Sequence, residues 1–173
     1  RRFLDSLIIA SLMFPVFSTI IPVFQMLSAI NVTDSPVGVI LPQIAGNLSF
    51  AMVILMGYIR GLPVDLEESA FLEGCNVFQV FYKVILPVCR PAFATVAIFS
   101  FLWSYNDLFT QLFFLRSPEK WTITRFLNEV SSQFGTDYGM MCAVVTLIFV
   151  PVMIVYVFLQ KNIIKGLTAG AIK

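Results

Sequence analysis

S-L-I-I-A-S-L-M-F-P-V-F-S-T-I-I-P-V-F-Q-M-L-S-A-I-N-V-T occupies Ser6 to Thr33, 28 positions without a charged side chain. A helix needs about 20 mostly apolar residues to cross a hydrocarbon core about 30 Å thick. This stretch is therefore long enough to span a membrane, and Asp5 and Asp34 mark its borders. The pattern recurs along the chain. Ser35 to Ile59 is a clean run of 25 residues and Tyr138 to Gln160 one of 23, while Pro91 to Leu115 spans 25 and carries only Asp107. These runs predict four spans, at about 7–30, 37–59, 91–115 and 139–160, with a cytoplasmic loop at about 60–88. The expected fold is an all-α, polytopic membrane helical bundle, a single transmembrane domain over residues 1–173. The first run exceeds the apolar core of a secretory signal, about 7–15 residues.

Composition agrees. Of 173 residues, 58% are hydrophobic and 12% charged, and the mean hydropathy is +0.89. Soluble domains carry about 25% charged residues, so half that amount cannot cover a water-facing surface. The formal net charge of +1 leaves no basic excess for nucleic acid. Histidine is absent, which removes imidazole acid–base chemistry, histidine metal ligands and histidine triads. Cys75, Cys89 and Cys142 are odd in number and far apart, offering neither zinc spacing nor a disulfide framework.

Lysine and arginine set the orientation. Arg1, Arg2, Arg60, Lys83, Arg90, Lys161, Lys165 and Lys173 fall on one side, and Arg116, Lys120 and Arg125 on the other. The positive-inside rule places both termini and segment 60–90 in the cytoplasm, with 31–36 and 116–137 outside. Pro15, Pro22, Pro36, Pro42 and Pro151, with Gln25 and Gly46-Asn47, interrupt the spans. Such points bend helices around a pathway, yet proline and glycine are also common in ordinary spanning helices.

The cytoplasmic segment reads L-P-V-D-L-E-E-S-A-F-L-E-G-C-N-V-F-Q-V-F-Y-K-V-I-L-P from Leu62 to Pro87. Pro63 suits a first helical position, and Asp65, Glu67 and Glu68 suit the positive end of a helix. Gly74 suits a left-handed stop. Asn76 with Gln79 forms a capping box for a second short helix that Pro87 bounds. Acid at the start argues against a membrane-surface helix pair, which favours basic residues, and fits a protein partner with a basic pocket.

Outside, Ile123, Phe126, Leu127, Val130 and Phe134 repeat as one face of an amphipathic helix, which covers the membrane surface, covers the outer mouth or meets an external partner. Asp107, in Trp103-Ser104-Tyr105-Asn106-Asp107, has two readings. It faces a wet route with Tyr105 and Asn106, since an ionisable group inside a span is costly, or it marks the outer border beside an interfacial Trp103.

These residues carry a resemblance. Glu68-Ser69-Ala70, three residues, Gly74, nine residues, then Val84-Ile85-Leu86-Pro87 resembles the EAA signature of ABC importer permeases, E-A-A, three residues, G, nine residues, I-x-L-P. Ser69 replaces the first alanine of that signature and Val84 its isoleucine. Trp103 to Asp107 is similar to the W-N-D cluster of the sugar-transporting branch, with Tyr105 where Trp is usual. Gly166 to Lys173, G-L-T-A-G-A-I-K, resembles that branch's ending. The resemblance covers essentially the whole chain. It implies a six-helix type I permease of the cell inner membrane, of which this chain is a C-terminal portion with two N-terminal spans preceding it. It further implies a second permease subunit, two cytoplasmic ATP-binding-cassette ATPase subunits and an extracytoplasmic solute-binding protein, beside membrane lipid. Glu68, Ser69, Ala70, Gly74, Leu86 and Pro87 would form the ATPase-coupling loop, and Tyr105, Asn106 and Asp107 part of the sugar pathway. No cofactor is expected in this chain, since ATP belongs to the partner subunits. The chain lacks the Gly-rich G-K-[ST] loop that cradles phosphates, and no catalytic or metal site is expected. A secondary transporter or channel subunit is the alternative, but it would need coupling carboxylates within the spans, and only Asp107 qualifies.

Overall fold

The computed structural model describes residues 2–133 and 138–169, with side chains at 3–15, 17–130 and 138–160. Among the described residues nine helices, beside a short 3-10 turn at Pro118–Lys120, run in chain order: α1 Arg2–Ser11, α2 Val16–Ala29, α3 Pro36–Arg60, α4 Asp65–Leu72, α5 Val77–Val88, α6 Arg90–Asn106, α7 Leu108–Phe114, α8 Ile123–Gln133 and α9 Tyr138–Ala169. No strand occurs among the described residues. The all-α bundle expected from the charge-free runs is the fold.

Two of the four expected spans are single helices long and apolar enough to cross a membrane, α3 and the Tyr138–Gln160 part of α9. The first expected span, 7–30, is broken. Leu12, Met13 and Phe14 close a turn onto Ile9, Ala10 and Ser11, and Pro15 restarts the chain as the N-cap of α2. Proline offers no N–H and disfavours helical backbone in the residue before it. Pro22, Pro42 and Pro151 lie within continuous helices. The third expected span, 91–115, is also in two pieces, because Asp107 (φ −74°, ψ 89°) leaves helical geometry and caps α7.

The axis bends by 64° between α5 and α6. Pro87 and Pro91, neither carrying an N–H, straddle Cys89, and Phe81–Ile85 forms a π turn just before them. Both features bend helices. Pro87 therefore does not end the second cytoplasmic helix as expected. The π turn re-registers the bonds, with Leu86 N–H donating to the Phe81 carbonyl, and the helix runs on to Val88.

Helices α3 and α6 lie antiparallel. Gln43 meets Ser104, Phe50 packs on Phe99 and Trp103 with ring centres 5.5 and 4.6 Å apart, and the Tyr58 hydroxyl reaches the Val88 carbonyl. Helix α1 returns along α3, from the Ser11–Ser49 hydrogen bond to the Arg60–Asp5 ion pair at 2.6 Å. Helix α8 packs over α7 and α9. Of the expected apolar face, Val130 is fully buried and Ile123 and Leu127 are half-buried, whereas Phe126 is exposed; Phe134 lies outside the described residues.

Two small cores result, one at each end. Ile20, Leu27, Val39, Phe114 and Leu115 close the end near Asp34. Ala70, Val80, Ile85 and Cys89 close the end near Arg60. Between them large apolar side chains face outward, among them Ile21, Leu48, Leu147 and Phe158. That surface fits lipid, since water-soluble proteins keep exposed apolar patches small.

Candidate functional site: the helix hairpin and the polar groove

The first site is the α4–α5 hairpin, and each motif residue has a separate physical task. Asp65, Glu67 and Glu68 occupy the first turn of α4, where carboxylates complement the helix dipole. The helix begins at Asp65 rather than at Pro63; Pro63 stands two residues ahead and accepts the Leu66 N–H. The Ser69 hydroxyl turns back to the Asp65 carbonyl at 2.6 Å. Ala70 is buried against Val80, Ile85 and Cys89, where the small side chain lets two short helices approach. Gly74 has φ +85°. Its N–H bonds the Phe71 carbonyl while the Cys75 N–H reaches back to Ala70, the paired closure that ends helices in a left-handed glycine. Asn76 and Gln79 then exchange side-chain and backbone bonds, both 2.9 Å, as the expected capping box. Leu86 and Pro87 are half-buried at the base.

What remains outside is a mixed surface. Glu68 is exposed, and beside it Leu72, Val77, Phe78 and Tyr82 present apolar area, Leu72 being 89% accessible. The hairpin thus closes on itself and leaves an acid and several apolar side chains uncovered.

The second site is a polar groove between α3, α6 and the 104–124 segment. Gln43 is its centre. Its carbonyl oxygen accepts from the Ser104 hydroxyl at 2.7 Å and its amide donates to Asp107 at 3.0 Å. The other Asp107 oxygen accepts the Thr110 N–H at 3.0 Å. Gln111, almost fully buried, accepts from Thr122 and from Thr124. A cavity of about 400 Å³ opens on Gln43, Ser104, Tyr105, Gln111, Thr122 and Thr124. A second, of about 360 Å³, opens on the other side of Gln43 toward Asn47 and Ser100.

The three pathway residues expected from sequence part company here. Tyr105 lines the larger cavity, its hydroxyl held by the Ile148 carbonyl at 3.2 Å. Asp107 stands behind Gln43, both oxygens engaged. Asn106 is exposed and bonds back to Leu102 of its own helix. Sequence reading missed Gln43, Gln111, Thr122 and Thr124. Their only local signal was polarity within apolar surroundings, and their partners are up to 64 positions away.

The chain is similar to sugar-transport proteins along its whole length. It is 34% identical over 173 residues to the arabinooligosaccharides transport system permease protein AraQ of Bacillus subtilis, covering 61% of that protein. It is 33% identical to the diacetylchitobiose uptake system permease protein NgcG of Streptomyces coelicolor, covering 58% of it. To the galactooligosaccharides transport system permease protein GanQ of Bacillus subtilis it is 32% identical, covering 62%. All of this chain is matched each time, so it spans about three fifths of the length of these relatives. The family model for binding-protein-dependent transport system inner membrane components matches residues 1–169. With an apolar-surfaced helical bundle and a self-closed helix hairpin at one end, the chain belongs to the family of binding-protein-dependent transport system inner membrane components.

Proposed function

We propose that this chain forms part of a permease subunit of an ATP-binding-cassette importer of the cell inner membrane, carrying a sugar or small oligosaccharide. Its assembly would comprise a second permease subunit, two cytoplasmic ATPase subunits and an extracytoplasmic solute-binding protein. The α4–α5 hairpin supports this reading most directly. It is closed on itself by Ala70, Gly74 and the Asn76–Gln79 capping box, yet leaves Glu68, Leu72 and Phe78 uncovered. Such a body transmits a displacement as a unit, as coupling between an ATPase and a pathway requires. The sugar class rests on the names of the relatives and on the groove's uncharged amides and hydroxyls. Nucleotide would sit on the ATPase partners, and the role of this chain is transport.

The test uses the full-length protein reconstituted with its ATPase and binding-protein partners. Glu68→Lys reverses the charge of the docking face and leaves α4 able to form. Both Glu68→Lys and Gly74→Val are expected to insert normally and to lose solute-stimulated ATP hydrolysis and uptake together. Full stimulated activity in both variants would overturn the coupling role.

A further inference from the structure

Asn47 lies near the middle of α3, about 16–20 Å of helix from either end at 1.5 Å per residue. Its amide donates to the Gln43 carbonyl at 2.9 Å, one turn back on the same helix. Across the groove stand Ser100 and Ser104, also one turn apart, on α6. Among the described residues, neither the Asn47 side-chain oxygen nor the Ser100 hydroxyl meets a hydrogen-bond partner. Polar groups at this depth are not left against hydrocarbon, because an unpaired amide or hydroxyl in an apolar medium costs several kcal/mol. Within a bilayer these groups call for a polar partner in the groove.

The two cavities that meet at Gln43 share Ile40, Gln43 and Ser104. They flank the Gln43–Ser104 hydrogen bond, one reaching toward Tyr105 and Thr124 and the other toward Ala51. The groove offers no free charge. Asp107 is held by Gln43 and Thr110, and Lys120, at the rim, by the Asp34 carboxylate and carbonyl. The polar groups that remain, set among apolar side chains such as Ile40, Ile44 and Leu48, are amides and hydroxyls, groups that both donate and accept and so match the hydroxyls of a neutral solute without favouring an ion.

We propose that Gln43, Asn47, Ser100 and Ser104 are the solute-contacting track of the pathway, reading the hydroxyl groups of an uncharged, polyhydroxylated solute at mid-membrane. The proposal rests on the permease reading above. It moves solute contact away from Asn106, which bonds its own helix, and makes Asp107 a positioning residue that fixes the Gln43 amide from behind.

The experiment places single cysteines at positions 47, 100 and 45 in a cysteine-free full-length protein within its assembled importer. Ala45 is exposed, close to the depth of Asn47, and lines neither cavity. The probes are hydroxyethyl methanethiosulfonate, which is uncharged, and its anionic sulfonatoethyl counterpart. In both cases the cysteine thiolate, which forms where water reaches, attacks the reagent's sulfenyl sulfur, forming a mixed disulfide and releasing methanesulfinate. Asn47→Cys and Ser100→Cys are expected to react at least tenfold faster than Ala45→Cys. After correction for intrinsic reactivity, the neutral reagent should outpace the anionic one at both positions. Ser100→Cys exchanges one small side chain for another, which keeps the test independent of folding effects at Asn47. Reaction at 47 and 100 as slow as at 45 would mean that another helix covers the groove, and would overturn the track. Preference for the anionic reagent would overturn the neutral-solute assignment. Failure of the permease reading would show separately, as the absence of an ATPase subunit co-purifying with the full-length protein.

Discussion

Asp34 does more than mark where a charge-free run ends. It adopts φ 54°, a left-handed conformation that Asn and Asp tolerate better than most residues, and so turns its carboxylate onto the 116–120 segment. It accepts the Ser117 hydroxyl at 2.5 Å, the Ser117 N–H at 3.0 Å and the Arg116 N–H at 2.8 Å, with the Lys120 ammonium at 3.2 Å. These donors, the Ser117 hydroxyl foremost, hold its carboxyl far below the ordinary aspartate value of 3.8. Because the folded state lowers this value, the latch is fully present above the ordinary aspartate range and is lost as pH falls below it. Protection of the Arg116 and Ser117 amides against hydrogen exchange, corrected for intrinsic rates, should therefore stay level from pH 8 to about 5. In Asp34→Asn the same amides should exchange several-fold faster at neutral pH. Gly38→Ala should loosen the latch from a distance, because an added Cβ would collide with the Val32 carbonyl oxygen and displace the turn that presents Asp34. Sequence revealed Asp34 only as a border, since its partners lie 82 and 83 positions away. Gln43 and Asp107, 64 positions apart, were hidden by the same physics.

At the scale of elements, chemistry that acts within a few residues was legible and chemistry that depends on neighbours was not. Gly74 and the Asn76–Gln79 box act over three to five positions, and both appear where their residue types require. Prolines behave differently from one another. Pro22 and Pro42 sit inside unbroken helices, whereas Pro15 ends one. At that break the Ser11 hydroxyl bonds the Ile8 carbonyl at 2.6 Å and meets Ser49 of α3. A hydroxyl competing for backbone groups, tied to another helix, tips the balance, and neither partner is visible from the proline. The hairpin yields a graded prediction. Gly74→Asn should retain most solute-stimulated ATPase activity, because asparagine accepts left-handed backbone, whereas Gly74→Val should lose it with strain on the order of 1 kcal/mol or more. Asn76→Ala should weaken the start of α5 by about 1 kcal/mol, read as reduced thermal stability with insertion unchanged. If Val and Asn at position 74 behaved alike, the left-handed closure would not be what positions the docking face.

The whole molecule has two polar ends joined by an apolar waist, and the ends are chemically distinct. At one, Arg60 pairs with Asp5, and Lys83 and the acidic start of α4 lie nearby in the chain. At the other, Asp34 binds Lys120 while Arg125, over the Trp121 ring at 4.4 Å, pairs with Glu129 at 3.1 Å. Charge segregation into two ends is what a lipid slab imposes, since ion pairs survive in water and interface but not in hydrocarbon. Eight lysines and arginines against three predict that the Arg60 end faces the cytoplasm, because cytoplasmic loops collect positive charge. The structure adds two exposed reporters on opposite ends, Ser69 in α4 and Asn128 in α8. In intact cells carrying the full-length protein, a membrane-impermeant maleimide should label Asn128→Cys at once and label Ser69→Cys only after the membrane is permeabilised. Both positions are solvent-facing, so slow labelling at either would reflect the membrane rather than burial in the protein. The reverse pattern would invert the topology and move the α4–α5 hairpin out of reach of any ATP-driven partner, removing the coupling role along with the orientation.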